Sequence, residues 1–368
     1  MPQGWTPTRI GNICKTNQRT YSVAEKWPFV NYLETGNITE NRVGEIQHIV
    51  IGQDTLPSRA RRKVEVDDII YSTVRPNQRH YGIVRDVLPN MLVSTGFTVI
   101  TGDKEKVDSD FLYYYLTQSD IVDSLHAIGE QSVSAYPSIK PSDIESVELD
   151  LPPLPDQVEI GHTLRVLDDK IANNTKINNH LAQMAQAIFA EQCKQGETAV
   201  LSDILTVCYG KDHKRLGDGM TPCYGSGGIM RYVDAALYSG ESVLIPRKGS
   251  LNNVLYINEP FWTVDTMFYT HMTRPNVAKF VYFTVRDLDL AGMNVGSAVP
   301  SMTTAVLNAL EIVLPNDEVL ASFEEIVSPM FLRMQANNVE SARLVALRET
   351  LLPRLMSGEL SVAAMDAK

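Results

Sequence analysis

The sequence of 368 residues lacks the features of a membrane, secreted or disulfide-rich protein. Its four cysteines (Cys14, Cys193, Cys208 and Cys223) form no CxxC pair, which disfavours a zinc ribbon or disulfide framework and fits a reducing cytoplasm. No apolar run reaches about 18 residues, so we expect no membrane span. The first five residues show no basic segment followed by an apolar one, so we expect no secretory signal and a cytoplasmic location.

The sequence also lacks an excess of positive charge. Its formal net charge is −11 at pH 7, so the chain cannot bind nucleic acid through bulk charge. If it binds DNA, it must use local basic patches or a partner that supplies more positive charge.

Catalytic and metal-binding motifs are missing as well. There is no GxxxxGK[ST] loop and no Asn-Pro-Pro-aromatic tetrapeptide, which is the usual amino-methyltransferase site. Asp212-His213-Lys214 has a nuclease-like carboxylate-x-Lys spacing without a partner carboxylate nearby, and the seven histidines show no metal-ligand spacing. The glycine-rich run at 225–228 has three interpretations: a flexible turn, a loop whose backbone approaches a DNA phosphate, or a cofactor-binding loop. We therefore expect no catalytic residue, no metal and no cofactor in this chain.

What the sequence does contain is an internal repeat. Ser134-Ala135-Tyr136-Pro137-Ser138-Ile139 matches Ser297-Ala298-Val299-Pro300-Ser301-Met302 at an offset of 163. The match continues without a gap into a long helical pattern in each half. A fainter match pairs residues 68–75 with 241–247, which aligns Arg75 with Arg247 at an offset of 172.

Each half consists of a mixed front and a helical rear. Short apolar runs bounded by Gly, Pro and Asn predict strands, and two longer runs predict helices. The strands are predicted at 68–74, 81–84, 97–101, 242–245 and 253–257, with closing strands at 147–151 and 310–314, and the helices at 111–118 and 277–285.

The rears are long helices with a narrow apolar seam that steps by four and three residues. Such a seam, with two positions in every seven, is typical of a coiled coil, so we expect the two helices to pack on each other. Asn174 and Asn337 lie at the midpoints of the two seams, and we predict that they meet and set the register of the pair. The seams are Ile160, Leu164, Leu167, Ile171, Asn174, Asn178, Leu181, Ala185 and Ile188, and Phe323, Val327, Met330, Met334, Asn337, Ser341, Leu344, Arg348 and Leu351.

Positive and amide side chains cluster in both fronts. Arg, Asn and Gln read base edges, whereas Lys, Ser and the amides of a glycine turn hold phosphates. A solvated loop explains any one cluster equally well, but similar clusters in both repeats favour DNA contact. The candidates are Arg59, Arg61, Arg62, Lys63, Arg75, Asn77, Gln78 and Arg79 in the first front, and Lys211, Lys214, Arg215, Tyr224, Ser226, Arg231, Arg247, Lys248, Ser250 and Asn252 in the second.

These features resemble the specificity (S) subunits of type I restriction–modification systems. The helix entry LPPLPDQVEI at 151–160 and the ending LLPRLMSGEL at 351–360 are similar to segments of that family, and so are IPRKGS at 245–250 and FWTVDT at 261–266. The resemblance covers essentially the whole chain, and its helical signatures are the more specific part.

The resemblance implies an α/β (α+β) two-repeat fold in which two target recognition domains with small twisted sheets are joined by two long antiparallel coiled-coil-like helices. It implies target recognition domains at 1–151 and 197–315, a central helix at 152–196, and a distal helix and tail at 316–368. Each domain would read one half of a bipartite site in double-stranded DNA. Two methyltransferase (M) subunits would carry S-adenosylmethionine and methylate adenine N6, and restriction (R) subunits would supply ATP- and Mg-dependent translocation and cleavage.

Two departures and three alternatives remain at this point. The second front is shorter than the first, and Pro329 stands inside the second helix where the first has Val166. The chain could instead be a stand-alone bipartite DNA-binding regulator, an enzyme with an unrecognised site, or a helical scaffold whose fronts bind protein.

Overall fold

The computed structural model describes residues 4–131, 136–293 and 301–361. The chain divides into two compact units. The first comprises the described residues of Met1–Asn173 and Glu340–Lys368, and the second those of Asn174–Val339. Part of the repeated segment, residues 134–135 and 297–300, lies outside the described residues.

The first unit is built on two four-stranded sheets and a closing strand pair. One sheet has the order Gln47–Val50, Phe29–Leu33, Met91–Ser94, Ala60–Lys63, and the other Cys14–Thr16, Phe97–Gly102, Ile69–Ser72, Tyr81–Ile83. Thr6–Arg9 pairs antiparallel with Glu148–Leu151, and Ile38–Thr39 with Arg42–Val43. Its short helices are Ile10–Ile13, Ser109–Leu116, Ser119–Glu130 and Pro141–Glu145, with 3₁₀ turns at Val23–Glu25, Thr35–Asn37 and Pro76–Gln78.

The second unit repeats this plan with fewer strands. A four-stranded sheet has the order Leu205–Tyr209, Met267–Met272, Glu241–Pro246, Leu255–Asn258, and a three-stranded sheet the order Gly228–Val233, Thr221–Gly225, Trp262–Thr263. Glu197–Val200 pairs antiparallel with Glu311–Leu314, as the equivalent closing pair does in the first unit. Its short helices are Ala278–Arg286 and Thr304–Asn308, with a 3₁₀ turn at Leu201–Asp203.

One long helix follows the sheets in each repeat. The first spacer helix is Leu154–Gln192, with 39 residues, and the second spacer helix is Asp317–Met356, with 40 residues. The second runs unbroken through Pro329, which is exposed, so the proline removes one backbone hydrogen bond without ending the helix. None of the helices in the described part of the chain has the length and apolar character that a membrane span requires.

The predicted seams are confirmed, since every seam residue is buried or half-buried. In the first unit Arg348 donates to Asp168 and Lys170 lies 3.2 Å from Glu340. The residue number falls on one helix as it rises on the other, so the two segments are antiparallel.

The helix segments of the second unit are antiparallel as well, and they carry the two midpoint asparagines. The Asn174 side chain donates to the carbonyl oxygen of Asn337 at 3.5 Å, and the Asn337 amide donates to Asn178 Oδ1 at 2.8 Å. Both midpoint asparagines are buried. Their contact is therefore present, while their role in setting the register stays a prediction.

Each spacer-helix seam ends in the hydrophobic core of a unit. In the first unit Ile160, Leu164 and Leu355 are buried together with Phe111 of the helix Ser109–Leu116. In the second unit Ala185, Phe323 and Val327 share a core with Phe280 and Phe283 of the helix Ala278–Arg286. Burying apolar area against the helices therefore fixes each sheet domain on its helical support.

Candidate nucleic-acid interface

The repeated Pro-Ser segment holds a loop at the same place in each unit. In the first unit the Ile139 N–H donates to the Thr73 carbonyl oxygen at 2.9 Å, and Val74 bridges to Ser138. In the second unit the Met302 N–H donates to the Arg247 carbonyl oxygen at 2.8 Å, and Lys248 bridges to Ser301. Each loop directly follows a buried strand. We call this pair of contacts the backbone clamp, and the loops 73–80 and 247–254 the clamped loops.

The clamp corrects the alignment of the two fronts. Thr73 and Arg247 occupy equivalent positions, so the offset here is 174 and not 172. The neighbouring strands agree, because Thr73 N donates to Gly96 O and Arg247 N donates to Thr266 O. Arg75 and Arg247 therefore lie in the same loop of their units, but two residues apart in register.

The first clamped loop presents a strained cationic turn. Arg75 and Arg79, at either end of the 3₁₀ turn Pro76–Gln78, both have left-handed backbone conformations, with φ of 48° and 56°. Such strain in residues other than glycine is concentrated at functional sites. Between them Asn77 and Gln78 are exposed.

The two arginines of this turn are positioned differently. The Arg75 guanidinium lies 4.6 Å from the ring centroid of Tyr136, a residue that belongs to the repeated segment. Arg79 donates to Glu40 at 2.9 Å and to Ser119 at 3.3 Å, and the Glu40 hydrogen bond raises the pKa of Arg79.

The second clamped loop has the same chemistry. The Arg247 guanidinium lies 5.4 Å from the ring centroid of Tyr209 and donates to the Asp265 carbonyl oxygen at 3.0 Å. Lys248 lies 3.9 Å from the Asp265 carboxylate. Ser250 and Asn252 are exposed beyond them. Each unit thus displays a loop arginine on a tyrosine ring, beside exposed hydroxyl or amide side chains.

Most of the basic segment at 59–63 forms a strand. Residues Ala60–Lys63 form a strand, so Arg61 and Arg62 belong to a sheet. Arg62 is half-buried, and burial lowers its pKa. Lys63 donates to Glu25 at 2.5 Å and lies 5.1 Å from the Trp27 ring centroid. Arg62 is therefore partly buried in the fold, and the Lys63 charge is paired within it.

Arg59 and the basic residues early in the second front are exposed. Lys211, Lys214 and Arg215 lie in a segment without regular structure that precedes the strand Thr221–Gly225. They, like Arg59, stay predicted DNA contacts.

Of the residues predicted to face DNA, Tyr224 is buried, whereas Arg231 is half-buried and stays a predicted DNA contact. Tyr224 is buried, and burial raises its pKa to about 12, so we correct its assignment to a core residue. Arg231 donates to the carbonyl oxygens of Leu216 and Gly217, which ties the preceding loop to the sheet. Ser226 is half-buried and its carbonyl oxygen accepts a hydrogen bond from Asn253.

Sequence reasoning missed the residues that support the loops. Tyr136 lay within the repeated motif and could have been noticed there, but Tyr209 belongs to a strand without a repeat signal. It also missed an exposed apolar surface on the hairpin of the second unit. The exposed residues of that hairpin surface are Met220, Ile229, Met230 and Tyr232.

The described residues contain no group of three or more His, Cys, Asp or Glu side chains arranged to hold a metal ion. The clamped loops present hydrogen-bonding and cationic side chains. Such a surface is suited to binding an anionic, hydrogen-bonding polymer.

The chain is similar to several known proteins. A family model described as the type I restriction modification DNA specificity domain matches residues 2–183. The type I restriction enzyme HindI specificity subunit of Haemophilus influenzae is 22% identical, with 97% of this chain and 99% of that protein covered. The MjaIX specificity subunit of Methanocaldococcus jannaschii is 23% identical, with 98% and 95% covered. The crystal structure of a type I restriction–modification S subunit from M. genitalium covers 96% of both chains, with 16% identity and a TM-score of 0.65.

Proposed function

Because this chain belongs to the family of type I restriction–modification specificity subunits, we propose that its two clamped loops are the surfaces that read DNA. Specificity subunits are non-catalytic DNA-recognition subunits, and each recognition domain reads one half of a bipartite target. The named relatives are subunits of restriction enzymes and give no support to a stand-alone regulator.

The observation that carries the proposal is the recurrence of one arrangement in two units. Each clamped loop follows a buried strand, is held by the Pro-Ser segment, and places an arginine on a tyrosine ring. Stacking restricts the arginine while those of its N–H groups that bond no protein atom stay available for phosphate or guanine. The exposed Asn77 and Gln78 are suited to adenine, because a carboxamide can bond N6 and N7 together.

The acidic balance of the chain leaves DNA binding to the local cations of the clamped loops and to partners. With a net charge of −11, the chain cannot enclose DNA by itself, and we propose that two M subunits dock on the spacer helices and complete the binding channel. S-adenosylmethionine would reside on the M subunits and ATP with Mg on the R subunits. Adenine N6 methylation and DNA cleavage would then be activities of the assembled complex.

The test uses the complex of this chain with its M partner. One variant replaces the four cations of the clamped loops with Ala, namely Arg75, Arg79, Arg247 and Lys248. Losing phosphate contacts should weaken binding to every sequence and reduce the salt slope by about one per contact. Losing a bidentate guanine contact should cost ~1–3 kcal/mol and relax one base position.

A control variant replaces Arg9 and Arg274, which pair with Glu148 and Asp317 away from the clamped loops. Its affinity and salt slope should equal those of the unmodified complex. If the four-residue variant also binds DNA unchanged, the clamped loops are not the recognition surface.

A further inference from the structure

Each recognition domain is joined to a spacer helix by a short helix that bears an ion-pair network. We call Ser109–Leu116 and Ala278–Arg286 the docking helices. Each network lies within a single unit, and each includes the second residue of its docking helix, Asp110 or Lys279.

In the first unit the central residue of the network is an acid. The Asp110 carboxylate, which is 10% exposed, accepts hydrogen bonds from Arg165 of the first spacer helix at 3.0 Å and from Arg85. Arg85 also donates to Asp67 at 2.6 Å. The charges therefore alternate from the sheet through the docking helix to the spacer helix.

In the second unit the central residue is a base. The Lys279 ammonium, whose side chain is 4% exposed, donates to Glu241 at 2.7 Å and to Glu324 of the second spacer helix at 2.6 Å. Glu324 also accepts from Ser328 at 2.6 Å. This network is more deeply buried than the first, so its charges depend more strongly on one another.

The two networks occupy equivalent positions. Asp67 and Glu241 are related by the offset of 174 that the backbone clamp defines, and both are acidic. The docking helix then carries an acid in one unit and a base in the other. On the spacer helices the offset of 163 pairs Gly161 with Glu324 and Arg165 with Ser328. The docking helix is therefore negative and the spacer helix positive in the first unit, and the two charges are exchanged in the second.

Shape adds to this charge inversion. A Cβ atom at Gly161 would lie 2.7 Å from Asp110 Cβ and 2.8 Å from Phe111 N, so the first docking helix crosses where no side chain fits. Nearby Gln157 donates to the Lys106 carbonyl oxygen and accepts from the Asp108 N–H, whereas the equivalent Leu320 is buried in an apolar core.

We propose that these contacts form a charge and shape code that restricts each recognition domain to the N-terminal part of its own spacer helix. On the wrong helix, Asp110 would face Glu324 as a like-charged pair, and the docking helix would meet a side chain where it needs glycine. On the first spacer helix, Lys279 would face Arg165 and would lose its ion pair with Glu324. Buried like charges are strongly unfavourable, so docking on the wrong helix costs free energy.

The first test inverts one contact in the full-length chain. Lys279→Glu alone gathers three acids, and Glu324→Lys alone brings two cations together, so each should lower the unfolding temperature by roughly 10 °C. The double variant Lys279→Glu/Glu324→Lys retains the net charge and should recover at least half of that loss. A double variant no more stable than the worse single one would overturn the electrostatic part of the code.

The second test exchanges the two recognition domains along the full-length chain. The exchanged chain should aggregate or unfold roughly 10 °C below the natural one. A matched chain, with the spacer-helix positions exchanged as well, should recover most of the loss. Those changes are Gln157→Leu, Gly161→Glu, Arg165→Ser, Leu320→Gln, Glu324→Gly and Ser328→Arg.

Equal behaviour of the exchanged and matched chains would overturn the code. Both readouts are unfolding of the chain without DNA or M subunits. Failure here therefore leaves the proposed DNA recognition untouched, and failure of DNA binding leaves this inference untouched.

Discussion

Replacing Asn337 with Ala tests whether the polar contact in the middle of the spacer helices stabilises their packing. The Asn337 side chain is 1% exposed and its amide donates to Asn178 Oδ1 at 2.8 Å. Truncation removes this donor and leaves the half-buried Asn178 oxygen without it, which costs about 1–3 kcal/mol. Alanine returns about 0.5 kcal/mol through its higher helix propensity.

The net loss of about 0.5–2.5 kcal/mol should lower the unfolding temperature of a unit of this size by roughly 1–10 °C, at about 2–4 °C per kcal/mol. Scanning calorimetry of the full-length chain measures it. Asn179→Ala is the matched control, because Asn179 is exposed on the first spacer helix and gains only the helix propensity. If Asn337→Ala unfolds at or above the temperature of the control, the buried contact does not stabilise the pair.

Three further predictions concern activity, spacing and thiol chemistry. The purified chain alone should neither bind S-adenosylmethionine in calorimetry nor methylate DNA, and methyl transfer without an M subunit would refute the assignment. Inserting four residues in each spacer helix, near Asn174 and Asn337, adds about 6 Å, so sequencing of methylated adenines should show the same half-sites with a gap longer by one or two base pairs. A folded, active variant that keeps the original spacing would show that the helices do not set it. Burial raises the pKa of Cys14 to about 12, with the Glu145 charge adding to it, so iodoacetamide at pH 8 should label the half-buried Cys208 well before Cys14; faster labelling of Cys14 would contradict its burial.

The long helices could be predicted because the residues that pack between them recur at a short, regular spacing in the sequence. A seam that steps by four and three residues places its side chains on one stripe of the helix, and all of the seam positions are buried or half-buried. The predicted strands at 68–74, 81–84 and 97–101 contain the observed Ile69–Ser72, Tyr81–Ile83 and most of Phe97–Gly102. These strands are buried on both faces, so they appear as short apolar runs.

Other parts of the fold depend on distant partners. The strand Ala60–Lys63 carries three consecutive cations, and it forms because Met91–Ser94 pairs with it, not because of its own composition. Tyr224 was predicted to contact DNA as part of the candidate cluster in the second front, but its ring packs against Phe261, 37 residues later in the chain. The opposite charges of Asp110 and Lys279 could be understood only after the structure had shown that each is the second residue of the docking helix in its unit.

The backbone clamp has a consequence for how recognition can evolve. Its bonds join main-chain atoms, from the Ile139 N–H to the Thr73 carbonyl and from the Met302 N–H to the Arg247 carbonyl, and Arg75 N–H likewise donates to the Pro137 carbonyl. Main-chain bonds do not depend on side-chain identity. New side chains can therefore be tried at the tips of the loops while the anchoring stays intact. Under the proposed function, a lineage can change the DNA sequence that it reads without rebuilding the scaffold that presents the loops.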